Sequence, residues 1–415
     1  MLKKILLGVS LIFISFSSNA YASSREDNFL NLTAKSAIVI DSETGEVIYS
    51  YNESEKTQMA STTKLMTALI LSEYRNKGDL IRFTKSAMLE PSTSVYKDIA
   101  PYLKENDLLS AESVMNGLLL KSGNDMATII AEDISGSKLE FSYLMDDKAK
   151  ELGMNDSDFY TPSGLDTDNV LDGENHYSTA YDMALLGLAS YKNEWVRESM
   201  SLKNYEMKTE EGYSFVVENT NKNLGLNGCI GGKTGFTTKA GRCLVAVYER
   251  DDRVLIGVVL GGTKEGYFED MNKIMDFAYK EEKSVLYNKN DVVTEKSCVF
   301  KPWIWVGKEK EYNIPMYISE DISLYKNAFN ENYVNIEIKY NDVSLWNLKD
   351  DTIVGELVMT CKNEVKMFNL YTNVSTKDFI KDNMKTYLIT GSILILSAFL
   401  LLLFLKNRLV SKNNN

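Results

Sequence analysis

The chain has 415 residues, enough for more than one domain once both ends are set aside, and a formal net charge of −12 at pH 7. That balance argues against nucleic acid, or an anionic lipid surface, as a partner of the folded body. A single histidine, His176, and four cysteines without CxxC spacing argue against a zinc centre. No metal, cofactor or disulfide is assigned.

Residues 1–22 read as a secretory signal peptide. Lys3 and Lys4 form a basic start, Ile5 to Phe16 an apolar run, and Ala20-Tyr21-Ala22 a small-x-small cleavage site. Ser36 to Ile40 and Glu46 to Ser50 are strand-like, joined by the turn chemistry of Asp41 to Gly45, so a β-hairpin is predicted. A helix follows, opening on Ala60-Ser61-Thr62-Thr63-Lys64 and continuing as an apolar run. Residues 110–191 are mostly helical by apolar spacing. Cys243 to Tyr248 and Val254 to Leu260 predict a second hairpin, and a helix is expected from about Glu269 to Glu282. Strands at both ends with helices between them predict an α+β domain over 30–284, an antiparallel sheet covered by helices. From 285 to 375 short β segments with charged turns predict a small all-β domain standing between the first domain and the membrane. A faint repeat runs through it: Asn290 to Val293 with Tyr312 to Tyr317 resembles Asp351 to Glu356 with Lys366 to Tyr371. The uncharged run Tyr387 to Leu405, at ~1.5 Å per residue, reaches roughly 28 Å and predicts a C-terminal transmembrane helix. Lys406, Arg408 and Lys412 place residues 406–415 in the cytoplasm and the body outside.

The chemistry centres on Ser61 and Lys64. Positions i and i+3 share a helix face, so hydroxyl and amine can meet at the first turn. Ser61 also suits a helix-opening cap. An ammonium in apolar surroundings loses hydration, which lowers its pKa and lets it act as a base. Alone, the pair could be a cap and a solvent-reaching lysine; a second Ser-x-x-Lys, Ser94 to Lys97, lacks an apolar run behind it. Two further stretches weigh in. Lys121-Ser122-Gly123-Asn124-Asp125 lies between two helical segments, where Ser122 could relay a proton and Asn124 could hold a substrate amide. Lys233-Thr234-Gly235-Phe236 is strand-like, and an edge strand bearing a cation and a hydroxyl can bind a carboxylate while its backbone pairs with a peptide. His176, on a polar loop with no evident carboxylate to orient it, reads as structural.

Ser-x-x-Lys, Ser-x-Asn and Lys-Thr-Gly in this order, with the Thr161-Pro-Ser-Gly-Leu and Ser178-Thr-Ala-Tyr-Asp-Met-Ala stretches, resemble the low-molecular-mass penicillin-binding proteins, specifically D-alanyl-D-alanine carboxypeptidases. The resemblance covers about residues 30–375 and implies a penicillin-binding/β-lactamase-like fold. It implies Ser61 as nucleophile, Lys64 as its base and Ser122 as proton relay. Asn124, Lys233, Thr234, Gly235 and Phe236 would be substrate-binding, with the oxyanion against the backbone N–H groups of Ser61 and Phe236. The implied partners are peptidoglycan stem peptides, with β-lactams as covalent inhibitors. A class A β-lactamase would need a Glu-x-x-x-Asn loop, for which residues 161–174 offer Thr-Pro-Ser-Gly-Leu-Asp at their start. Endopeptidase or transpeptidase activity uses the same residues and stays open. A receptor would need a cytoplasmic output domain, and a silent scaffold would be expected to have lost a motif residue.

Overall fold

A computed structural model describes residues 28–166, 176–209, 211–302, 308–362 and 364–413. The expected signal peptide lies outside them. Contacts divide the chain into two compact units.

The first unit is built on a five-stranded antiparallel sheet. Its strands are β1 (Ser36–Asp41), β2 (Val47–Tyr51), β3 (Cys229–Thr237), β4 (Gly241–Arg250) and β5 (Arg253–Gly262), in the order β2-β1-β5-β4-β3. Both predicted hairpins are present. The tight β4–β5 turn has Asp251 and Asp252 at φ 50° and 61°, the double left-handed step that suits the twist of paired strands. Early and late segments of this unit thus meet in one sheet, β1 pairing with β5, and β3 is left as an edge.

Each face of the sheet is covered. The helix α1 (Tyr267–Ala278) buries Met271, Ile274, Met275 and Ala278 against Val39, Leu244, Ala246 and Val259. The helix Ala180–Lys192 packs on the other face, where Gly187 lies so close to β4 and β5 that a Cβ would stand 2.7 Å from Ile256 and 2.8 Å from Val245. Thr179 caps that helix, its hydroxyl accepting from Asp182 N at 3.1 Å. The helix after Ser61, Lys64–Tyr74, is buried from Lys64 to Leu71; an element apolar all round belongs inside a helical layer.

The second unit carries a five-stranded antiparallel sheet of β6 (Val292–Phe300), β7 (Lys310–Ile318), β8 (Val334–Tyr340), β9 (Thr352–Cys361) and β10 (Glu364–Thr372), ordered β6-β7-β10-β9-β8. The faint sequence repeat is a repeated hairpin. Asn290 and Asp351 both hold left-handed φ, 69° and 62°. Each sends its N–H across to the end of the partner strand, to Ile318 O at 2.9 Å and Thr372 O at 3.0 Å. Val292 pairs with Tyr317 and Ile353 with Tyr371, and each pair is followed by a one-residue register slip. The equivalent tyrosines then pair with each other, Tyr317 with Tyr371.

One segment departs from the expected 30–284 and 285–375 division. Tyr325–Asn332 groups with the first unit, because Asn327 Nδ2 donates to Val47 O at 2.8 Å, Asn330 Nδ2 to Val47 O at 3.1 Å, and Phe329 stacks on Tyr181 at 5.2 Å. Tertiary pairing, not composition, assigns that stretch. The chain ends in the helix Met384–Asn413, of which Met384–Arg408, 25 residues, is long and apolar enough to cross a membrane.

Candidate active site

Ser61 sits in a single 3-10 turn, Ala60–Thr63, that runs into the buried helix at Lys64. Ala60 holds a left-handed φ of 48°, a conformation costing a non-glycine residue roughly 1–3 kcal/mol. Packing holds it from two sides. A Cβ on Gly164 would come within 1.9 Å of the Ala60 carbonyl oxygen, and one on Gly235 within 2.9 Å of the Ser61 nitrogen. The expected capping role of Ser61 is corrected. Met59 precedes the turn with no side-chain cap, and in a 3-10 turn residues i and i+3 eclipse, which brings the Ser61 hydroxyl onto Lys64 instead.

Lys64 is completely buried. Its Nζ lies 2.8 Å from Ser61 Oγ, 2.8 Å from Asn124 Oδ1 and 2.9 Å from Ser163 O. Asn124 Nδ2 donates to Pro91 O at 2.9 Å, which fixes the amide so that it offers the lysine only an acceptor. Two of the three neighbours are therefore carbonyl oxygens. A neutral amine spends both N–H groups on them and turns its lone pair toward the Ser61 hydroxyl, the arrangement a base requires. Desolvation holds the Lys64 pKa well below its ordinary value. The nearby charge of Lys233 adds to this, while Asp125 and Glu90 oppose it.

The other predicted residues converge on the same place with altered parts. The Asn124 amide positions Lys64 with one hydrogen bond at each end, which leaves a second N–H and a second lone pair for the expected grip on a substrate amide. Asn124 opens the helix Asn124–Ser135 and is 2 % exposed, which turns it inward. Ser122, at φ 68°, lines the groove beside Ser61 but is not among the described partners of Lys64 Nζ. Lys233 is 1 % exposed, donates to Thr234 O at 3.0 Å, and burial pulls its pKa to about 7. Thr234, Gly235 and Phe236 lie on the edge strand β3 and line a groove of about 900 Å³ with Ser61. The hydroxyls of Thr234 and Thr220 are 2.6 Å apart.

Residues 21–264 match the peptidase S11 family, D-alanyl-D-alanine carboxypeptidase. D-alanyl-D-alanine carboxypeptidase DacF of Bacillus subtilis (strain 168) is 31% identical over 369 residues, 88% of this chain and 91% of the relative. The chain belongs to the D-alanyl-D-alanine carboxypeptidase family, peptidase S11. Penicillin-binding protein D2 from Listeria monocytogenes, in its ampicillin-bound form, is 30% identical with a TM-score of 0.53, over 60% of this chain and 99% of that one. D-alanyl-D-alanine carboxypeptidase DacD from Francisella tularensis, 21% identical, shares the fold with a TM-score of 0.60 over 90% of this chain and 97% of its own. The family makes the protein a serine peptidase, and the fold is that of the penicillin-binding proteins.

Within this S11 peptidase the Thr161-Pro-Ser-Gly-Leu stretch has a structural meaning that its letters do not carry. Ser163 O receives Lys64, Pro162 O receives Thr67 Oγ1 at 2.6 Å, and Gly164 at φ 77° backs onto Ala60. Residues 167–175, in the region compared with a β-lactamase glutamate loop, lie outside those described. His176 is half-buried. Tyr160 N–H donates to its Nδ1 at 3.0 Å, leaving Nε2–H beside Thr63 Oγ1 at 3.3 Å. The other Ser-x-x-Lys is a helix start: Ser94 Oγ accepts from Lys97 N at 3.3 Å. Sequence reading missed Ser163, Thr220 and Arg242. The first acts through its backbone, Arg242 reaches the groove through the pairing of β4 with β3, and Thr220 meets Thr234 from 14 residues away.

Proposed function

We propose that the protein is a serine-type D-Ala-D-Ala carboxypeptidase that removes the terminal D-alanine from peptidoglycan stem pentapeptides through an acyl-enzyme on Ser61. The observation that carries this reading is the buried Lys64 amine, whose only hydroxyl partner among the described residues is Ser61. Neutral Lys64 takes the Ser61 proton as Oγ attacks the penultimate carbonyl carbon. The oxyanion is held by the backbone N–H groups of Ser61 and Phe236, a placement supported by the packing of Gly235 on Ser61 N. Lys64 and Ser122 return the proton to the departing D-alanine nitrogen as the C–N bond breaks. Water then adds to the ester, giving its proton to Lys64, and the tetrapeptide carboxylic acid leaves with Ser61 restored. The two hydroxyls of Thr220 and Thr234 and the Lys233 charge favour the substrate's terminal carboxylate. A β-lactam enters by the same attack and leaves an ester that water removes slowly.

The parts assign accordingly: a signal peptide at 1–22, a catalytic domain over 30–284 joined by Tyr325–Asn332, a β domain over the rest of 285–375, an anchor at 387–405 and a cytoplasmic tail at 406–415. The body then stands on the outer side of a bacterial membrane with its substrate. D-Alanine release from a stem pentapeptide tests the reading. Wild type is expected to release it and Ser61→Ala to release none, at unchanged melting temperature. Full activity of Ser61→Ala would refute the nucleophile.

A further inference from the structure

We propose that Arg242 reads a carboxylate on the acyl part of the substrate, so that the preferred stem peptide carries a free side-chain carboxylate on its third residue. The inference rests on the function proposed above and names its substrate class.

Arg242 lies on β4 directly opposite Phe236 and lines the groove with Lys264 and Tyr267. Its guanidinium carbon stands over two rings, 4.1 Å from the Phe236 centroid and 5.9 Å from that of Tyr267. Nε is buried and has no hydrogen-bond partner among the described residues, and no described carboxylate forms an ion pair with the group. With Nε buried, the Nη donors of this planar group, which make no described hydrogen bond, are the ones that match a carboxylate. The other cations of the groove are less available. Lys121 is paired with Asp98 and Lys233 is buried. Lys264, beside Arg242, makes this end of the groove cationic in a chain whose net charge is −12.

Strand direction decides which carboxylate. A peptide adding antiparallel to the free edge of β3 runs opposite to it. With its C-terminal carboxylate at Thr234 and its reacting carbonyl beside the Gly235–Ser61 contact, earlier residues run toward Thr237, past Phe236 and Arg242. At ~3.4 Å per residue, the long Arg242 side chain reaches the residue preceding the penultimate D-alanine. That third position of a stem peptide is a diamino acid, with or without a second carboxylate.

The test compares kcat/KM of the full-length enzyme for two pentapeptides with diaminopimelate at position three, identical except that its free carboxylate is amidated in one. Wild type is expected to favour the free carboxylate by about tenfold or more, the effect of a charge-assisted pair. Arg242→Gln should bring the ratio to about one, and Arg242→Lys should restore part of it. A wild type indifferent to amidation, or a ratio unchanged in Arg242→Gln, overturns the inference. A residue that merely packs would lower both peptides equally and leave the ratio intact, which also overturns it. Failure of wild type to release D-alanine from either peptide would instead bring down the proposed function, and this inference with it.

Discussion

Two bases adjoin the Ala60–Thr63 turn, the buried Lys64 and the half-buried His176, and their neighbours give them opposite fates. Lys64 meets two carbonyl oxygens and a hydroxyl, which leaves a lone pair aimed at a reactive group. His176 has one nitrogen taken by a backbone N–H and the other beside Thr63, so both its ring nitrogens are spent on the fold. Burial pulls the His176 pKa down to about 4 from 6.5. Between those values the unfolded chain binds a proton that the folded one refuses. The stabilising contribution is therefore whole above pH 6.5 and is lost as pH falls to about 4, of order 3 kcal/mol at ~1.4 kcal/mol per unit. Because the chain has one histidine, a single imidazole resonance reports it. The ring is expected to stay neutral, as the Nε2–H tautomer, down to about pH 4; a midpoint near 6.5 would show an open site.

Among elements, the catalytic turn owes its shape to what presses on it rather than to its own letters. The loop at Gly164 and the strand at Gly235 approach closer than a side chain allows. Gly164→Ala meets both a left-handed φ and the Ala60 carbonyl, so a loss of about 2–4 kcal/mol is expected in denaturant titration. Acylation by a β-lactam should collapse with it, since the displaced atom adjoins Ser61. Unchanged stability would mean that the loop does not brace the turn. These dependencies mark the limit of what the sequence discloses. Ser61–Lys64 is legible because it lies within one turn, and Lys-Thr-Gly because strand and motif coincide. Lys64 meets Asn124 and Ser163 across 60 and 99 residues, and no local pattern encodes a backbone carbonyl as a partner. The hold of Asn124 on Lys64 is illegible for the same reason: Pro91 O, which fixes its amide, is a contact made only on folding.

For the molecule as a whole, composition marked the change from helical to β-rich chain but missed the return of Tyr325–Asn332 to the first unit. That segment docks through Asn327 and Asn330 on Val47 O. Replacing both asparagines by alanine is expected to lower the stability of the first unit by about 1–3 kcal/mol while leaving acylation by a β-lactam intact. An unchanged unfolding midpoint would show that the segment is a passenger. The repeated hairpin of the second unit has a consequence of another kind. When equivalent residues of two copies pair with each other, as Tyr317 and Tyr371 do, a two-fold axis passes between them. The β6–β7 and β9–β10 hairpins are then related as subunits of a symmetric dimer are. Such a sheet is what results when one gene segment whose product self-associates is copied in tandem, so that an encounter between molecules becomes a feature of a single chain.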